Sequence, residues 1–181
     1  MSGCQGSELG SQPWSTTPPP VHPSYGPLDR DIEAIEGKFN VNFQEDFKTF
    51  MKIYGSGIIY DTFVIFNVED QKYISQIETS EEIYVIQRNF RPHKYHLKLW
   101  PRSPGIFPMG QTSHGNRLYW MVQEDSDING FAIFDPKSPR YLYYEDAFSV
   151  FLLECIDRNL PYIHKRDLLS SEKFCITPVS D

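Results

Sequence analysis

Between Gly105 and Tyr144 the chain runs through four short apolar stretches, IFPMG, LYWMV, FAIF and YLYY, with only short polar segments between them. This spacing limits the fold more than any other feature. Each stretch has the length of a strand, and each is rich in the aromatic and β-branched residues that suit a half-buried pleated surface. Asp125–Gly130 and Asp135–Arg140, which part the last three stretches, hold the Asp, Asn, Ser, Pro and Gly that turns use.

The first connection invites a different reading. GIFPMGQTSHGNRLYWMV contains G-x-x-x-x-G, the skeleton of a phosphate-cradling loop. Such a loop needs Lys after the second glycine to reach the phosphates, then Ser or Thr to hold magnesium. Asn116 and Arg117 occupy those positions, and the loop leads into the strand LYWMV rather than the helix whose amides would face an anion. A turn between two strands is the better reading. His114 in that loop lacks the adjacent nucleophile and orienting group that a general base requires.

Upstream, Ile32, Ile35 and Phe39 share one helical face, with Asp29 placed to cap it. Asn42 and Glu45 have capping-box spacing, and Phe43, Phe47, Phe50, Met51 and Tyr54 follow at helical intervals until Gly55 and Gly57 stop the helix. Ile58–Phe66 reads as one strand and Tyr73–Ile77 as a shorter one. Thr79 with Glu82 again has capping-box spacing, so a short helix is expected through Ile83, Ile86 and Phe90. Arg91–Pro104 is a proline-punctuated connection in which Tyr95, Leu97 and Leu99 alternate. After the strands, Asp146 precedes a helix with Phe148, Phe151, Leu152, Cys155 and Ile156 on one face, stopped by Asn159 and Pro161.

The 181 residues fit one domain with tails. Residues 1–27 carry six prolines among Ser, Gly and Thr, and are expected to be a disordered or extended tail, because they bury too little apolar area to offset ordering. The domain is expected over residues 28–160, with a C-terminal extension over 161–181. No apolar run approaches the roughly 20 residues that cross a bilayer, and no secretory signal is readable at the N-terminus. Cys4, Cys155 and Cys175 are widely spaced and odd in number, which suits a reducing, cytoplasmic setting rather than a disulfide frame.

Charge is unevenly spread over a net −7. Residues 83–123 hold six bases (Arg88, Arg91, Lys94, Lys98, Arg102, Arg117) and no acid, and residues 1–28 hold only Glu8. With that run (+6) and that tail (−1) set aside from −7, the remainder carries −12. An acidic body repels nucleic acid and attracts basic partners. The basic stretch could still contact phosphates, with Tyr95 or Trp100 stacking on bases. His93 and His96 are the one close histidine pair. Basic neighbours and the lack of a local carboxylate disfavour a metal there. Glu124, Asp125 and Asp127 lack the register of a calcium loop and read as a solvated turn. Neither a cofactor site nor a catalytic constellation is legible.

Taken in order, the helix IEAIEGKF, the helix closing as FKTFMKIYGSG, the strand IFPMG, the G-N-R-L-Y-W segment, FAIFD, YLYYED and the last helix AFSVFLLECI resemble the SUKH superfamily. That superfamily includes fungal cell-wall synthesis regulators, bacterial toxin-immunity proteins and a branch in large DNA viruses. Members commonly have Asp after the loop glycine. Asn116 stands there in this chain, which preserves a turn and removes a charge. The resemblance implies a single α+β domain, a twisted, mostly antiparallel sheet with helices packed against it and no catalytic residues. It further implies a non-catalytic protein-binding role, foremost a cytoplasmic immunity protein that neutralises a basic toxin domain. The alternatives are a regulatory scaffold of the same superfamily and nucleic-acid binding through residues 88–102. Trp100, Tyr119, Trp120, Glu124, Asp125 and Asp127 are the expected contact residues. Tyr119 and Trp120 are neighbours on a strand and point to opposite faces, so at most one is expected on the surface.

Overall fold

The computed structural model describes residues 29–55, 57–59, 63–66, 71–137, 140–156 and 176–178. Within them lie four helices, α1 (Asp29–Phe39), α2 (Glu45–Tyr54), α3 (Gln71–Phe90) and α4 (Phe148–Ile156). The strands are β1 (Gly57–Ile59), β2 (Phe63–Ile65), β3 (Gly105–Thr112), β4 (Arg117–Val122), β5 (Ile128–Asp135), β6 (Arg140–Tyr144) and β7 (Ile176–Pro178). They form one open sheet in the order β6-β5-β4-β3-β2-β1-β7, with every neighbouring pair antiparallel. The expected α+β architecture is present.

The four apolar stretches become β3 to β6, and their alternation sorts side chains onto two faces. Leu118, Trp120 and Val122 of β4 and Phe131 and Ile133 of β5 join the larger core with Phe43, Phe47 and Phe50 from the α1–α2 side and Phe148 and Phe151 from α4. The ring of Trp120 lies 4.7 Å from that of Phe47 and 5.9 Å from that of Phe148, centroid to centroid. Tyr119 and Phe134 point the other way, into a smaller core with Ile106, Tyr84 of α3 and Tyr95 of the 91–104 connection. The sheet is therefore covered on one face by α1, α2 and α4, and on the other by the C-terminal half of α3 and the segment that follows it.

Three local expectations are corrected. Ile58–Phe66 is not one strand but holds two, β1 and β2, paired antiparallel with Gly57 opposite Ile65 and Ile59 opposite Phe63. Tyr73–Phe90 is part of one helix rather than a strand followed by a short helix. Ile77, Ser80 and Tyr84 are its buried positions, three and four residues apart, and this helical stripe outweighs the β-branched run IYVI. Asn42 does not cap α2, where Gln44 is the N-cap and its side chain makes no bond to the helix's own amides. The start of α4 is held from far away in sequence. The amides of Phe148 and Ser149 donate to Gln44 Oε1 (3.1 Å) and Asp46 Oδ2 (2.7 Å), about a hundred residues away. The expected tail over residues 1–27, and Asn159 and Pro161, lie outside the described residues. Of the 161–181 extension only β7 is described, pairing with β1.

Candidate protein-binding surfaces

The opening motif is a β-hairpin. β3 and β4 pair from Gly105 opposite Val122 to Gln111 opposite Arg117, and residues 113–116 form the turn. The two glycines have different tasks. Gly115 has φ +89°, where a side chain is strained, and its amide donates to Thr112 O (3.0 Å). Gly110 sits in β3 at a register shift, where a Cβ would meet Val64 O of β2 at 2.3 Å. So Gly115 serves the turn and Gly110 serves the close approach of two strands. Buried Thr112 braces the loop, its hydroxyl accepting from the Asn116 amide at 3.0 Å. His114 is exposed, 3.1 Å from the Ser113 hydroxyl.

The three aromatic contact candidates lie inside the molecule. Trp120 and Tyr119 are 0% and 1% exposed, one in each core, so neither is displayed. Trp100 is 7% exposed, and its indole N–H donates to Phe39 O (2.7 Å), satisfying a carbonyl at the C-terminus of α1. Their aromatic character was the signal in sequence, but large aromatics serve cores as readily as interfaces. Tyr95, one of the two rings considered for base stacking, is also buried and packs on Phe134 at 4.7 Å.

The acidic candidates do reach the surface, and they form one braced turn. Glu124, Asp125 and Asp127 are all exposed between β4 and β5. Asn42 Nδ2 donates to Asp127 Oδ1 (2.7 Å), and Asn40 Nδ2 donates to Ser126 Oγ (2.9 Å). The Asn42 amide donates to Ser126 O (2.9 Å), while the Ile128 amide donates to Asn42 O (3.3 Å). Asp125 Oδ1 accepts from the Asp127 amide at 3.2 Å. The α1–α2 connection thus fixes a turn bearing three carboxylates. Asn42, read from sequence as a cap, is what ties it down. Its pairing with residues 85 positions away left no local signal.

The opposite sheet face carries a tyrosine cluster that sequence reasoning did not assemble. The Tyr84 hydroxyl lies 2.9 Å from Leu97 O, to which it donates, and 3.0 Å from the Tyr141 hydroxyl. The Tyr95 hydroxyl donates to Gln87 Oε1. Register explains the grouping: Arg117 stands opposite Phe134, which stands opposite Tyr141, and Tyr119 opposite Ala132 opposite Tyr143. Burial pushes the hydroxyls of Tyr84, Tyr95, Tyr119 and Tyr141 above the ordinary tyrosine range. For Tyr141 the bond to Tyr84 adds to that rise, while Arg117 and Arg91 pull Tyr95 back. These groups stay neutral near pH 7 and act as packing, with the hydroxyls of Tyr84, Tyr95 and Tyr141 hydrogen-bonded.

His93 and His96 are both exposed, and the His96 ring packs edge-on to Tyr141 at 5.0 Å. Among the described residues no group of three or more His, Cys, Asp or Glu side chains is arranged to hold a metal ion, and no helix is long and apolar enough to cross a membrane.

The model of the SMI1 / KNR4 family (SUKH-1) matches residues 26–154, and the chain belongs to that family. Neither a search of curated proteins nor one of solved structures returned a match.

Proposed function

From the chain's place in the SMI1 / KNR4 family we propose that it is a non-catalytic protein-binding domain, an immunity protein that binds and neutralises a basic toxin domain. Family membership is the observation that carries the reading. The braced acidic turn supports it. Three carboxylates held on one short segment present negative charge without first paying the entropy of ordering a loop, and complementary charge speeds encounter with a basic partner. The contact set is Glu124, Asp125 and Asp127, with the buried Trp100, Tyr119 and Trp120 supporting the framework from within.

Co-expression of the chain with toxin domains encoded beside its gene tests this reading. Rescue of growth and co-purification of a complex are expected for one neighbour. If every neighbour is neither bound nor neutralised, the immunity role is lost.

A second reading, a regulatory scaffold, is favoured by the six prolines in residues 1–27. Deleting residues 1–27 separates the two readings. An immunity domain keeps its partner affinity, and a scaffold that works through the proline-rich segment loses it.

A further inference from the structure

The two ends of the sheet are finished differently. β7 closes one end with three residues, and Pro178 among them lacks a backbone N–H, so a further strand finds little to pair with. β6 closes the other end with five, and its pairing to β5 runs unbroken from Arg140 opposite Asp135 to Tyr144 opposite Phe131. It carries no proline, lysine or bulge, the devices that keep a second strand away from an edge. Among the described residues no strand lies on its outer side.

The side chains along this edge are complementary to themselves. Two antiparallel copies of one strand are related by a two-fold axis perpendicular to the sheet, which pairs only residues of the same face, so the axis must pass beside a residue. Tyr143 is 49% exposed and stacks on Tyr141 at 6.2 Å. Arg140 lies three residues before it and Asp146 three residues after it, both exposed. With the axis at Tyr143, Arg140 meets the partner's Asp146, Leu142 meets the partner's Tyr144, and Tyr143 meets its own copy. Moving the axis to Leu142, the next allowed register, sets Arg140 against the partner's Tyr144 and leaves Asp146 unmatched. Within the chain Asp135 stands opposite Arg140, but its carboxylate accepts from the Lys137 amide (2.8 Å), and the two form no ion pair among the described residues.

We propose that the outer edge of β6 pairs antiparallel with β6 of a second copy of this chain, about a two-fold axis at Tyr143, so that two sheets join into one. The order of charges selects the occupant. Base, apolar centre and acid meet acid, apolar centre and base when the strand is turned end for end, so each Arg140–Asp146 contact is made twice across the axis. Backbone groups along the edge gain partners in the same step, and the exposed Tyr143 is covered. The net −7 of each copy opposes association, but a screening length near 8 Å confines that repulsion and leaves the charges at the edge to decide. The pairing is separate from the acidic turn and does not depend on toxin binding.

The test is sedimentation equilibrium of the full chain, where a reversible monomer–dimer equilibrium is expected. Arg140→Asp sets acid against acid and Asp146→Arg sets base against base, and each should weaken the dimer at least about tenfold. The exchange Arg140→Asp/Asp146→Arg restores the pair in reverse and should recover it. Tyr143→Cys gives a second readout that does not depend on the charge variants folding well. Directly opposed residues of an antiparallel pair have Cα atoms about 4.5–5.5 Å apart, within disulfide range. Mild oxidation should therefore join residue 143 to residue 143, a link that peptide mapping tells apart from any made by Cys4, Cys155 or Cys175. A chain that sediments as a monomer and yields no such link overturns the proposal. So does a dimer that both single charge reversals leave intact, or one that the exchange fails to restore while the variants unfold at the wild-type temperature.

Discussion

The two layers that cover the sheet treat the same residue types in opposite ways. In the α1–α2–α4 layer the phenylalanines are buried against Trp120, and the ion pairs of the described residues are gathered on α1 and α2. Lys48 reaches both Glu36 and Glu45 (2.9 and 3.0 Å). Burial lowers its pKa and those carboxylates raise it, with a net rise. In the α3 layer Ile86 and Phe90 stand in water, and the six bases of residues 83–123 form no ion pair among the described residues. The first layer is accounted for by folding alone. The second leaves apolar side chains of α3 outside its own packing.

Trp120→Ala tests the first layer hardest. Trp120 is fully buried among Phe43, Phe47, Phe131 and Phe148, so its truncation is expected to cost about 3–5 kcal/mol in urea unfolding. A cost below about 1 kcal/mol would break the claim that this aromatic layer anchors the sheet. Next comes Asp46→Ala, which removes the acceptor at the start of α4. The expected loss is about 1–2 kcal/mol. Asp146→Ala should cost far less if the long-range cap is the one that matters.

The tyrosine cluster sharpens the comparison through pH. Its hydroxyls have raised pKa values in the folded chain, so on alkaline titration the unfolded chain releases these protons first. Stability contributed by the cluster is therefore whole below about pH 10, the ordinary tyrosine value, and is lost as pH rises beyond it. Tyr141→Phe should soften that alkaline loss, as followed by unfolding at stepped pH. Tyr119→Phe should soften it too, and at neutral pH be near neutral or stabilising. Its buried hydroxyl has no hydrogen-bond partner among the described residues, so its removal leaves nothing unpaired. The smallest effect is expected at the exposed side chains of α3. Ile86→Glu and Phe90→Glu should each change unfolding free energy by less than about 0.5 kcal/mol.

The sheet was legible because its signals are local. Apolar runs of strand length and turn residues between them sufficed for β3 to β6, and helical spacing sufficed for α1, α2 and α4. What escaped depends on distant partners. Asn42 looked like a cap in its own neighbourhood, yet its side chain is spent on Asp127. Asp46 is an ordinary first-turn acid in sequence, while in the fold it also caps α4. In α3 the β-branched run suggested a strand, and only the burial of Ile77, Ser80 and Tyr84 shows the helical stripe. Of the site, the acidic turn was readable as an exposed turn. Trp100, Tyr119 and Trp120 were not readable as core, because an aromatic side chain carries the same composition signal in a core as in an interface.

The contrast between the surfaces is tested most directly by calorimetric titration of a co-purifying toxin domain into three full-length proteins: wild type, Glu124→Lys/Asp125→Lys and Ile86→Glu/Phe90→Glu. The account predicts that charge reversal on the acidic turn weakens binding at least about tenfold, while the α3 variant binds as wild type does. Binding that the α3 variant abolishes and the turn variant leaves intact would contradict it.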